Sequence, residues 1–162
     1  MKIAKVRDVR TPERGTAKSA GIDFFVPNDF KAVRLLPQRD LLIPSGIKAE
    51  VLKDFMLMAA DKSGVATSYQ ATVKAGRKPK QTAFDSVLIL GAKIVDEDYQ
   101  GEIHIHIINV GNTVVTIEPG MKLAQFILVP VSYDQIEVVP EEELFLSVSE
   151  RGEGGFGSTE NK

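Results

Sequence analysis

An all-β sandwich or barrel is the fold class the sequence predicts, on three observations. Runs rich in Val, Ile, Leu and Phe are short and recur between Gly and Pro punctuation. The stretch Glu102-Ile103-His104-Ile105-His106-Ile107 alternates with period two, setting the isoleucines on one face and Glu102, His104 and His106 on the other. Helical patterning is confined to Pro140–Leu144, one short turn whose carboxylates gather near its N-terminus, where the helix dipole favours them.

Taken in order, strands are expected over Ile3–Val9, which alternates apolar and charged residues, then Ala32–Leu36, Leu41–Ile43, Ile47–Val51 and Phe55–Ala60. Five more follow at Ser86–Leu90, Glu102–Ile108, Thr113–Ile117, Lys122–Val129 and Gln135–Val138. No internal repeat is present. The stretch Ser68–Phe84 carries Lys74, Arg77, Lys78 and Lys80 around Gly76 and Pro79, and reads as a basic loop or hairpin arm. The tail Ser149–Lys162 has one aromatic and little to bury, so it is expected to be mobile on its own. Its glycines free backbone amides for an anion, Arg151 offers a bidentate fork and Phe156 a face for a planar base, which together read as a closing lid. The organisation expected is therefore a β domain over residues 1–148, with an inserted loop or hairpin at 68–84, and a lid over 149–162.

The chain of 162 residues, 43% hydrophobic and 26% charged, suits one compact domain. Twenty Lys and Arg against 22 Asp and Glu leave a net charge of -2, which offers no bulk attraction to nucleic acid or to an anionic membrane. Absence of cysteine removes disulfides, thiolate catalysis and Cys-ligated metals, and is compatible with a reducing compartment. Two histidines are too few for most His-based zinc sites, and His104 and His106 are expected to face water or a neighbouring strand. No secretory h-region or long apolar span is read, so a soluble, cytoplasmic protein is expected.

Polar residues beside glycine recur at the ends of apolar runs: Ala20-Gly21-Ile22-Asp23, Asp61-Lys62-Ser63-Gly64, Val95 to Gly101 and Gly120 to Gln125. Singly each is an ordinary turn. Jointly they supply a carboxylate for Mg²⁺ or water, hydroxyl and amide donors, a cation for phosphate and an aromatic platform, which are the parts of a nucleotide phosphate site.

Five ordered segments carry a resemblance to the trimeric dUTPase family: SAGIDFFVP at 19–27, DKSGVAT at 61–67, GAKIVDEDYQGEI at 91–103, GMKLAQFILVP at 120–130 and RGEGGFGST at 151–159. The resemblance implies a distorted jelly-roll subunit in a homotrimer with shared active sites, and Mg²⁺-dependent hydrolysis of dUTP to dUMP and pyrophosphate. Asp96 matches the carboxylate that activates the water attacking the α-phosphorus, and Tyr99 the ring under the deoxyribose. Lys62, Ser63, Gly64 and Gln125 match the phosphate side, and Lys93 the pocket edge beside the base. Asp23 matches the first-motif aspartate, an indirect metal contact through water, with Mg²⁺ held mainly by the substrate phosphates. Arg151, Gly154, Gly155, Phe156, Gly157, Ser158 and Thr159 match the tail that grips the γ-phosphate and stacks on uracil.

The chain departs from that pattern in four places. Lys62 replaces the usual Arg, so one ammonium stands where a planar fork is common, and Lys93 replaces a usual Gly. Leu90 falls where some members place a base-reading Asn, and Ser63 and Asp96 are 96 - 63 = 33 positions apart, the excess being the basic stretch. These departures leave two alternatives: a related nucleotide diphosphatase with altered or broadened pyrimidine specificity, and a trimeric regulatory module that binds a protein partner through the basic insertion. The related dCTP deaminases are disfavoured, because His106 stands where their catalytic glutamate would be.

Overall fold

The computed structural model describes residues 1–67 and 87–153, which divide between two compact units, Met1–Ser132 and a C-terminal one from Tyr133 onward. The basic stretch expected at 68–84 and the tail residues Gly154, Gly155, Phe156, Gly157, Ser158 and Thr159 lie outside the described residues.

In chain order the first unit contains β1 (Lys2–Lys5), β2 (Glu13–Arg14), β3 (Ile22–Phe25), β4 (Val33–Leu35), β5 (Asp40–Pro44), β6 (Ile47–Glu50) and β7 (Phe55–Asp61). There follow the single turn α1 (Ser63–Ala66), then β8 (Leu88–Leu90), β9 (Ile94–Val95), β10 (His104–Asn109), β11 (Val115–Ile117) and β12 (Lys122–Pro130). A five-stranded sheet runs β2-β3-β12-β7-β9 and a three-stranded one β5-β10-β8, with the pairs β1-β6 and β11-β4 beside them. Every ladder described is antiparallel. The result is the mostly-β, jelly-roll-like architecture expected.

The buried cluster draws Phe24, Leu57 and Phe126 from the larger sheet and Ile43, Ile105 and Ile107 from the smaller. Phe24 and Phe126 meet with ring centroids 4.4 Å apart and tilted by 46°, a favoured aromatic geometry. The alternation read in β10 holds, with Ile103, Ile105 and Ile107 each only 1% exposed. Each such side chain contributes about 1.5–3 kcal/mol of burial. Asn109 is buried at the end of β10 because its amide is fully used: Nδ2 donates to Leu35 O and Thr113 O, and Oδ1 accepts from the Gly111 N–H.

Gly46, at φ +74°, turns the chain between β5 and β6, where a Cβ would lie 2.8 Å from Val9 Cγ1. Its N–H donates to Glu102 Oε1 at 2.7 Å, and Arg7 Nε donates to the same oxygen at 2.9 Å. Burial pushes the Glu102 carboxyl up, but these donors outweigh it and hold the group below its ordinary range. The clip fixes the start of β10 relative to the β5–β6 turn.

Three short strands escape the sequence pattern. Residues Ile22–Phe25 of β3 are buried throughout and so show no alternation, while β2 and β9 have two residues each, too few for a period. The expected strand Ile3–Val9 narrows to β1. Gln135–Val138 forms no strand. In the C-terminal unit, where that segment lies, Ile136 and Val138 are 94% and 93% exposed, and an isolated segment has no ladder to join. The expected turn does form, as α2 (Glu141–Leu144), with Pro140 at its N-cap and Glu141, Glu142 and Glu143 in its first turn.

Candidate active site

Two groups of the expected residues assemble in the first unit, one around a buried carboxylate and one around a small cavity. The first is built by three adjacent strands: Gln125 of β12 stands opposite Asp23 of β3 on one side and Ala60 of β7 on the other. Gly21 permits this arrangement, since a Cβ there would overlap the Gln125 carboxamide. Gln125 Nε2 donates to Asp61 O at 3.0 Å, tying β12 to the end of β7.

Asp23 is 4% exposed, and both of its carboxylate oxygens are engaged. Lys62 Nζ pairs with Oδ1, and Lys122 Nζ with Oδ2 at 2.8 Å. Burial pushes the Asp23 carboxyl up, yet Lys122 and Lys62 more than offset it and hold the group below the usual carboxylate range. One carboxylate between two ammonium groups leaves a surplus positive charge at a largely enclosed place, which suits an anion. Ser63 and Gly64 follow Lys62 directly in α1.

Lys122 was not among the expected site residues, and strand geometry explains the omission. Lys122 and Gln125 are three apart, which in a regular strand puts them on opposite faces. A β-bulge between Lys122 and Ala124 resets the register, so that Lys122 pairs with Phe25 and Gln125 with Asp23, on one common face. The signal available in the sequence was a cation in the same glycine-led segment as Gln125.

The second group surrounds a cavity of about 180 Å³, lined by Lys93, Asp96, Tyr99 and His104 over an apolar floor that includes Ile103 and Phe126. Asp96 is exposed and begins the turn after β9, where its carbonyl accepts from the Tyr99 N–H at 3.3 Å. Tyr99 Oη donates to Glu102 O at 3.0 Å, and the ring folds over Gly101, where a Cβ would collide with it. Lys93 Nζ lies 3.6 Å from Asp61 Oδ2. Asp61 Oδ1 accepts from the Leu90 N–H at 2.7 Å, so the residue next to Lys62 also anchors the cavity wall and links the two groups.

The histidines of β10 divide. His104 Nδ1 lies 2.8 Å from Glu102 O and its side chain lines the cavity, whereas His106 turns to β5 with Nε2 3.0 Å from Asp40 Oδ2. Arg151 is exposed in the C-terminal unit. Among the described residues no three His, Asp or Glu side chains converge to cage a metal, and no helix is long and apolar enough to cross a membrane.

The dUTPase family model matches residues 7–160. The chain belongs to the dUTPase family. Membership makes it a hydrolase, and relatives agree: the chain is 35% identical to a deoxyuridine 5′-triphosphate nucleotidohydrolase of Chlamydia pneumoniae, over 91% of this chain and 89% of that one. It is 30% identical to the Fusobacterium nucleatum protein of the same name, over 98% and 95%. The dUTPase of Staphylococcus bacteriophage 80alpha, solved with dUPNHPP, has a similar fold, with a TM-score of 0.74 at 24% identity over 97% of this chain and 96% of that one.

Proposed function

We propose that this dUTPase-family hydrolase cleaves dUTP to dUMP and pyrophosphate, with the cavity beside β9 taking the nucleoside and the Asp23 group taking the phosphates. The observation that carries the reading is the convergence of Asp96, Tyr99 and Lys93 on one cavity. At about 180 Å³ it is smaller than the ~300–1,000 Å³ of pockets that hold whole drug-sized ligands, which suits one moiety of a nucleotide. Asp61, joined to both groups, sets the distance between the two ends.

In this reading the exposed Asp96 carboxylate orients a water toward the α-phosphorus and accepts its proton as the bond to the pyrophosphate leaving group breaks. The Tyr99 ring, held by Glu102 O and pressed on Gly101, supports the deoxyribose. Lys62 and Lys122 meet the negative charge of the chain of phosphates, and Gln125 contributes an amide beside them.

The donor set fits Mg²⁺ brought in on the triphosphate. Asp23 already accepts from two ammonium groups, so it suits the edge of the metal's hydration shell, with inner ligands from phosphate and water. When bound there, the metal neutralises charge on the phosphates and polarises them.

Apolar side chains in the C-terminal unit support assembly into a homotrimer. Leu146 and Val148 are 103% and 93% exposed within one chain, as are Ile136 and Val138 nearby, a density that marks an association surface. The lid over 149–162, with Arg151 and Phe156, belongs to the same reading, closing a site once phosphate is bound. A solution mass near three times 17.7 kDa is the expected outcome, and a monomer mass would refute the assembly.

The deciding experiment is product-resolved hydrolysis of dUTP, dCTP, dTTP, UTP and dATP with Mg²⁺, with Asp96→Asn alongside. Preference for dUTP, yielding dUMP and pyrophosphate and lost in the variant, is expected. Equal cleavage of the pyrimidine nucleotides would place the novelty in the Lys93 wall, and no cleavage would overturn the proposal.

A further inference from the structure

We propose that His106 is a positioning residue for the nucleoside cavity, its ring holding the Gly91–Lys93 wall in place from behind. The inference rests on reading that cavity as the nucleoside end.

The wall needs such a support because it lies between β8 and β9, outside both strands. His106 supplies two of its anchors: the Gly91 N–H donates to His106 O at 2.9 Å, and the Ala92 N–H donates to the ring Nδ1 at 3.0 Å. At the far end Lys93 O accepts from the Ala59 N–H at 2.7 Å. The ring also explains Gly91. A Cβ at that residue would overlap the imidazole, so contact with the ring, and not an unusual backbone angle, demands glycine.

The hydrogen bonds assign the tautomer. An Nδ1 that accepts from Ala92 carries no proton, which leaves Nε2–H to donate to Asp40 Oδ2 at 3.0 Å. Asp40 belongs to the neighbouring strand β5, and this hydrogen bond is the first cause of its carboxyl lying below the ordinary range. The imidazole thus spans from β5 to the wall. Along the β5–β10 ladder His106 stands opposite Leu42, and Leu42 and Ala92 both line the cavity while His106 does not. Its influence on a bound nucleoside runs through the wall, which is why it is a positioning and not a catalytic residue.

The test is His106→Phe, which keeps a flat ring against Gly91 and removes both ring hydrogen bonds. One lost hydrogen bond to the wall corresponds to about a three- to tenfold change in binding. The expected result is that KM for dUTP and the inhibition constant for dUMP both rise by about that factor, with kcat within about twofold and inhibition by pyrophosphate unchanged. His106→Gln, which retains an acceptor and a donor, should recover much of the loss. Should His106→Phe fail to fold, Gly91→Ala disturbs the same contact from the wall side, by pushing a methyl against the imidazole. It should raise the dUMP constant and leave that for pyrophosphate unchanged, and in a His106→Ala background the new methyl should add no further rise.

Unchanged dUMP binding in His106→Phe or in Gly91→Ala would overturn the proposal. Equal weakening of dUMP and pyrophosphate would do so too, since it would make His106 merely structural. A wild-type protein that neither cleaves dUTP nor binds dUMP would refute the proposed function itself, and this inference with it.

Discussion

The two ends of the site are held by different means. Around Asp23 the fixing is electrostatic: a 4%-exposed carboxylate and two ammonium groups, set on a common face by a bulge in β12. Around the cavity it is mostly backbone: carbonyl and amide groups of residues 91–102 hold Tyr99, the Ala92 wall and the turn that presents Asp96. Asp96 itself stays exposed and, among the described residues, carries no ion pair. The difference teaches where function and stability separate. Asp23 at the first end is already paired, so under the proposed function changes there should act on folding and phosphate affinity, while changes at the second should act on turnover and nucleoside affinity.

The largest break in that division should come from Asp96→Asn. A positioned general base is typically worth ~10²–10⁴ in rate, so kcat should fall by at least that range while KM and thermal stability change little. Steady-state kinetics and a melting curve on one sample decide it. A loss of stability comparable to that from a substitution at Asp23 would erase the contrast between the two ends.

Asp23→Asn should show the opposite signature, a stability loss at neutral pH on the order of 2 kcal/mol, because two partly enclosed ammonium groups lose their counter-charge. Its pH dependence follows from the lowered pKa. A carboxyl depressed in the folded state contributes stability that is fully present above its unfolded value near 3.9 and is lost as pH falls through the folded value. Wild type and variant should therefore differ in unfolding free energy at pH 7 and converge toward pH 2. A gap that stays constant into acid would mean that Asp23 acts through packing.

Lys122→Gln sharpens the comparison from the ligand side, through phosphate affinity. Lys122 is 37% exposed, so solvent screens its contribution to about 1 kcal/mol, or roughly fivefold. Inhibition by pyrophosphate should weaken by that factor with dUMP inhibition unchanged, the mirror image of the result expected for His106→Phe. If the two variants affect both products alike, the cavity and the Asp23 group are one unit and not two.

Much of this was legible in the sequence, for reasons that differ by residue. The isoleucines of β10 declared themselves because one face of that strand is buried and the other is not, which is what alternation reports. Asp23, Lys62, Gln125, Asp96 and Tyr99 were reached through glycine-led segments and the family pattern those segments carry. Lys122 was hidden by a register shift that no residue count anticipates, since a bulge depends on which strand lies opposite. His106 looked like an ordinary strand residue. Its importance depends on two non-local partners, Ala92 and Asp40, the latter 66 positions away, and only the folded ladder brings them to one ring.

The smallest effect expected is from Tyr99→Phe. The ring remains over Gly101, so the packing proposed beneath the sugar should persist, and what disappears is the donation from Oη to Glu102 O. That carbonyl is also within reach of His104 Nδ1, which continues to satisfy it, so the cost stays at the low end of a neutral hydrogen bond, about 0.5 kcal/mol. KM for dUTP should rise by about twofold, with kcat unchanged. A much larger rise would show that the hydroxyl, and not the ring, is what Tyr99 contributes. Gly101→Ala tests the ring more severely, because a methyl there would meet Oη and Cζ of Tyr99 and so displaces hydroxyl and ring together. If the ring is the working part, Gly101→Ala should raise KM well beyond the value for Tyr99→Phe.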